Sequence, residues 1–102
     1  MDIEFIRERI TKLRIQKVVS EYKMSYDLGH SRGYINNISS GKTLPSMAEF
    51  LAICEYFEIT PQEFFNEKSE NPKLERQVIE AIDRLDENDL ALTLQNIQRL
   101  LK

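Results

Sequence analysis

The 102 residues include one cysteine, one histidine, no tryptophan, three glycines and three prolines. The lone Cys54 excludes an internal disulfide and a cysteine-based zinc cage, which fits a reducing, intracellular setting. As a small, soft side chain it reads as part of the core. His30 alone leaves no histidine cluster for a metal or a catalytic triad, and no serine, cysteine or paired carboxylate is placed by sequence to work with it. It reads as an exposed turn residue. The acids of 83–89 are spaced loosely like a calcium loop, but they lack its glycine and closing glutamate and read as a helix cap. There is no glycine-rich phosphate loop. No run approaches the roughly 18 apolar residues of a membrane span, and no basic-then-apolar start signals secretion. An enzyme is therefore not expected, nor a metal, a cofactor or a membrane contact, and a cytoplasmic location is.

Charge is short overall, at −3, but it is unevenly placed. Residues 1–42 carry eight lysines and arginines against five acids, and the remaining 60 carry six against twelve. Phosphate attraction is the main sequence-independent term in nucleic-acid binding, and its distribution matters more than its sum. The basic part is where the chain's turn chemistry is concentrated.

The stretch Ser20–Lys42 holds two short helix signals around a glycine turn. Ser20 is a candidate N-cap for a helix from about Glu21 to Leu28, and Gly29 supplies the positive φ that ends it. Ser31 is a second candidate cap, for a helix from about Arg32 to Ser39 closed by Gly41. Two helices joined by a short glycine-containing turn form a helix-turn-helix, whose second helix enters the DNA major groove. Before it, Ile3, Ile6, Ile10 and Leu13 recur on one face of a helix over residues 2–17, with Asp2 as its cap and Arg9, Lys12 and Glu8 on the opposite side. After it, Ser46 and Glu49 form a capping box for a helix from about Met47 to Phe57, with Phe50, Leu51, Cys54 and Phe57 inward. Thr60, Pro61 and Glu63 open a fifth helix, and Phe64-Phe65 plug the core. Met24, Leu28, Ile35 and Ile38 face that core, and Tyr34 packs at its edge with its hydroxyl in water.

These residues carry a resemblance. Leu13-Arg14, Met24, Leu28-Gly29, Ser31-Arg32, Tyr34-Ile35, Ile38, Gly41-Lys42, Pro45, Ile59-Thr60 and Phe64-Phe65 resemble the phage-repressor-like (Cro/repressor, XRE-type) helix-turn-helix family from about Phe5 to Phe65. The resemblance implies an all-α, five-helix DNA-binding domain. It places Ser31, Arg32, Gly33 and Asn37 at base-reading positions, and Ser20, Glu21, Asn36, Ser40, Lys42 and Thr43 against phosphates. An arginine fork suits guanine, and an asparagine amide suits adenine. This chain departs from its relatives at three positions. Val18 stands where glycine usually ends helix one in a left-handed turn; a β-branched residue would be strained there, so helix one is expected to end differently. Glu21 replaces the usual glutamine, and its carboxylate repels phosphate unless paired. Ser39 replaces an acid that pairs with the arginine at Arg14, so Arg14 finds another acid or stays exposed.

Residues 67–71 form the heart of a polar linker, and Asn71 caps a further helix with Pro72 at its first position. Leu74, Val78, Ile82 and Leu85, then Leu90, Leu94, Ile97 and Leu101, recur at helical spacing on either side of the cap Asp86, which predicts a two-helix hairpin over 72–102. Leu92 and Leu100 lie off the second stripe. A hairpin cannot bury both sides of one helix, so Leu92, Ile97, Leu100 and Leu101 are expected to meet a second copy, unless the tail covers its own domain. The domain reading is therefore 1–66, 67–71 and 72–102. The functional expectation is a sequence-specific DNA-binding regulator in a bacterium or its mobile elements, a repressor acting as a homodimer on double-stranded DNA. The alternative is an interaction module that keeps the fold, binds DNA weakly or not at all, and holds a partner protein.

Overall fold

The computed structural model describes residues 1–66 and 72–102 and divides into two compact units, Met1–Glu67 and Lys68–Lys102. The expected linker at 67–71 and the cap assigned to Asn71 lie outside the described residues. All regular structure among the described residues is helical. The first unit holds α1 (Ile3–Lys17), α2 (Glu21–Asp27), α3 (Tyr34–Ser39), α4 (Met47–Tyr56) and α5 (Pro61–Phe64).

The starts of these helices follow local sequence. Asp2, Ser20, Ser46 and Thr60 each accept a backbone N–H three residues on, and the last two complete capping boxes with Glu49 and Glu63. Helix three is the exception. It begins at Tyr34, not at Arg32, and Ser31 does not cap it with its side chain. Arg32 and Gly33 instead form a turn in which the Ser31 carbonyl accepts the Tyr34 N–H at 3.1 Å.

Four helix ends share one geometry. After α1, α2, α3 and α4 a residue turns left-handed, and the N–H groups at that residue and the next reach back to orphan carbonyls. Gly29 and Gly41 serve α2 and α3 with φ of 74° and 91°. Val18 and Glu58 serve α1 and α4 with φ of 60° and 57°. The expectation that Val18 would avoid this conformation is wrong: the Val18 and Val19 N–H groups still bond Ile15 and Arg14. Satisfying two orphan carbonyls outweighs the roughly 1–2 kcal/mol that left-handed backbone costs a residue with a Cβ.

Ile10, Met24, Ile35, Ile38, Phe50, Ile53, Cys54 and Phe64 form the core. Burying each large apolar side chain contributes roughly 1.5–3 kcal/mol. Leu51, expected inward, is exposed, and Ile53 takes the buried position. Phe65 is partly exposed and stacks on Phe5. Two arginines of α1 tie the unit together. Arg7 donates to the carbonyls of Ile38 and Gly41 at the end of α3. Arg9, expected on the solvated face, donates to Glu63 and Phe64 at the end of α5.

The second unit holds α6 (Pro72–Ile82) and α7 (Glu87–Leu100), the latter capped by Asp86 through the Asp89 N–H at 2.8 Å. No described side chain in it is buried. The expected packing of one leucine stripe on the other does not bury them: Leu74, Val78, Leu90, Leu94, Ile97 and Leu101 are all exposed. Two short helices offer each other a single seam, which is too narrow to close a core.

Candidate nucleic-acid interface

Helix α3 is short and its N-cap, Gly33, has no side chain, so its first N–H groups need acceptors from elsewhere. Ser25 on α2 provides one. Its hydroxyl accepts the Ile35 N–H at 3.1 Å and donates to the Glu21 carbonyl at 2.8 Å. Ser25 is fully buried, the one buried polar residue described. A second link runs along the outside. Glu21 accepts the Ser39 hydroxyl at 2.5 Å and the Asn36 amide at 3.4 Å. The charge that the sequence left unpaired is thus held by α3 itself, and the two helices are braced at both ends of α3.

A third set of contacts anchors α2. Asp27 accepts from Lys23 at 2.8 Å and from the Tyr56 hydroxyl at 2.7 Å, while Lys17 lies over the Tyr56 ring. The Lys23 and Tyr56 hydrogen bonds hold the Asp27 carboxyl below its usual range. Tyr34 stacks on His30 with ring centres 3.8 Å apart, and His30 Nε2 stands 3.6 Å from Glu49. The Tyr34 hydroxyl is buried without a well-formed hydrogen bond, so the expectation that it sits in water fails. Burial, and then the nearby Glu49 carboxylate, push its phenol up to about 12.

The four arginines of the first unit divide sharply. Arg7 and Arg9 clamp helix ends. Arg14 donates to the Val19 carbonyl at 2.8 Å, so it neither finds another acid nor stays free. Arg32 is exposed, and its guanidinium lies over the face of Tyr22, 5.9 Å from the ring centre. Among the described residues no acceptor or acid holds its five N–H donors. Ser31, Arg32 and Gly33 follow one another in the turn before α3, and Asn37 lies one turn on, half-buried. A Cβ built on Gly33 would meet nothing within 4 Å, and φ there is −93°, so nothing inside the fold requires glycine. Ser20 spends its hydroxyl as the α2 cap, and Asn36 turns its amide to Glu21. Ser40, Lys42 and Thr43 are exposed beyond α3, and Lys42 has no ion pair among the described residues.

Sequence reading passed over Ser25 and the exposed pair Tyr22 and Tyr26. The signal for Ser25 was present: a helix opening on glycine needs an acceptor from outside. The signal for the tyrosines was not, because exposure of α2's outer side follows from how α2 packs.

No helix among the described residues is long and apolar enough to cross a membrane. The sequence model of a helix-turn-helix domain family matches residues 8–70. Neither the curated proteins nor the solved structures returned a match.

Proposed function

The chain belongs to a helix-turn-helix family of the Cro/repressor-like, XRE type, and on that footing we propose that it is a sequence-specific transcriptional repressor that occupies an operator as a homodimer. Arg32 carries this reading. It is the first-unit arginine whose donors the fold leaves open, and it stands directly before the helix that such domains place in the major groove. In this reading Arg32 forks onto guanine O6 and N7, Asn37 takes an adenine edge, and Gly33 lets the turn approach the base pairs. Lys42, Thr43 and Ser40 meet phosphates. The Glu21 carboxylate is turned onto Ser39 and Asn36 and keeps its negative charge, which opposes the phosphates.

The homodimer rests on the second unit, whose exposed Leu92, Ile97, Leu100 and Leu101 have no cover within their own hairpin. Two-fold symmetry then matches a palindromic site with half-sites about 34–36 Å apart.

Selection from a random pool of duplex DNA at low salt tests the reading. Enrichment of a two-fold-symmetric motif is expected. Enrichment of no motif defeats it and leaves the partner-protein module in its place.

A further inference from the structure

We propose that Tyr22 is the positioning residue for Arg32: its ring carries the guanidinium, so discrimination at one base pair depends on an aromatic face at residue 22. This rests on the reading of Arg32 as a base-contacting residue and adds a determinant to it.

The two residues are ten apart in sequence and meet because the turn folds back. Tyr22 and Ser25 lie three apart on one side of α2, and Arg32 and Ile35 are likewise three apart. The bond from the Ile35 N–H to the Ser25 hydroxyl ties α2 to α3 beside this pair, and the Arg32 guanidinium lies over the Tyr22 ring at 5.9 Å from its centre. Tyr22 is 57% exposed although it is aromatic, and its ring lies beneath the Arg32 guanidinium. Tyr26, one turn further along α2, is 70% exposed and joins Tyr22, His30 and Arg32 around a shallow surface hollow. Lys23, the neighbouring cation, is held by Asp27 and so does not compete for the Tyr22 face.

A guanidinium is planar and weakly hydrated, and it stacks on a ring face while its N–H groups stay free at the edge. An arginine held this way loses less side-chain freedom on binding than one swinging in water. The ring thus favours the extended, edge-out arrangement that a bidentate contact with guanine requires. A smaller side chain at residue 22 leaves Arg32 the same reach but removes its support.

Two experiments on the full chain test this. In the first, the ratio of affinities is measured between the selected operator and the same operator with the Arg32-dependent base pair changed. Tyr22→Ala should lower that ratio about two- to fivefold, the worth of an exposed cation–π contact. Tyr22→Phe should keep it, and Tyr22→Ala should add nothing in an Arg32→Ala background. Loss in Tyr22→Phe equal to that in Tyr22→Ala, or an undiminished loss without Arg32, overturns the proposal. If the parent chain enriches no operator at all, the proposed function has failed, before any Tyr22 variant is made. The second experiment needs no DNA. The Arg32 side-chain protons should show an upfield ring-current shift in the parent and in Tyr22→Phe, and lose it in Tyr22→Ala. No such shift in the parent removes the geometry on which the proposal stands, whatever the DNA result.

Discussion

The Ser25 hydroxyl stands between two helices, accepting the Ile35 N–H at 3.1 Å and donating to the Glu21 carbonyl at 2.8 Å. It acts as the missing N-cap of α3, supplied from α2 because Gly33 cannot supply one. This single hydroxyl couples the angle between the two helices to the satisfaction of a buried N–H, and removing it leaves that donor without a partner.

Ser25→Ala should therefore cost about 1–3 kcal/mol of stability, the range for a buried donor left unsatisfied. Urea unfolding followed by circular dichroism measures it. Amide exchange at Ile35 should accelerate more than exchange in α1. A cost below about 0.5 kcal/mol would mean that water or a repacked turn replaces the hydroxyl.

Val18→Gly should stabilise the chain. The Val18 side chain is 88% exposed and its φ is 60°, so the substitution gives up little burial and relieves left-handed strain. The gain should be near 1 kcal/mol after glycine's greater freedom in the unfolded chain is subtracted. That corresponds to a rise in Tm of several degrees for a domain of this size. A lower Tm would show that the valine makes a contact worth more than the strain.

Arg32→Ala should cost about 1–3 kcal/mol per half-site and relax preference at one base pair. Lys42→Ala should weaken binding to all sequences and lower the salt slope by about one unit, because a phosphate contact carries no base information. Glu21→Gln should strengthen binding by removing a negative charge while keeping an acceptor for Ser39. Titrations at several salt concentrations on the selected site and on unrelated duplex separate the three effects.

A chain ending at Glu70 should be monomeric where the full chain is a dimer. Sedimentation of both at micromolar concentration reads this directly. If both sediment as monomers, the second unit is not the dimer interface and its exposed leucines await another partner.

Stability should fall as pH rises from about 10 to 12. Tyr34 and Tyr56 hold their phenol protons up to about 12 in the folded chain, in both cases mainly through burial, aided by Glu49 for Tyr34 and by the bond to Asp27 for Tyr56. An unfolded tyrosine ionises near 10. Between those values the folded state binds more protons than the unfolded one, so the stabilisation present below pH 10 is lost as pH climbs toward 12. Urea midpoints across that window should drop, and less steeply in Tyr34→Phe.

The sequence by itself determined the elements and most of their ends. Capping boxes at Ser46 and Thr60, caps at Ser20 and Asp86, and glycines at 29 and 41 act within four residues of chain, so local chemistry suffices to place them. It also determined the family, since the apolar residues at fixed offsets around the Gly29 turn are a one-dimensional pattern. What only the tertiary structure decided is which polar groups were already spent. Arg9 and Arg14 looked like free charge and are bound to carbonyls 55 and 5 residues away, and Glu21 looked unpaired and is held from 18 residues on. Helix α3 starts two residues later than expected, at Tyr34 and not at Arg32, because its acceptor sits on another helix. Val18 keeps a conformation its side chain disfavours because the carbonyls at the end of α1 need its N–H and that of Val19. A side chain's partners depend on which segments fold against it, and that is information carried by the chain's whole path.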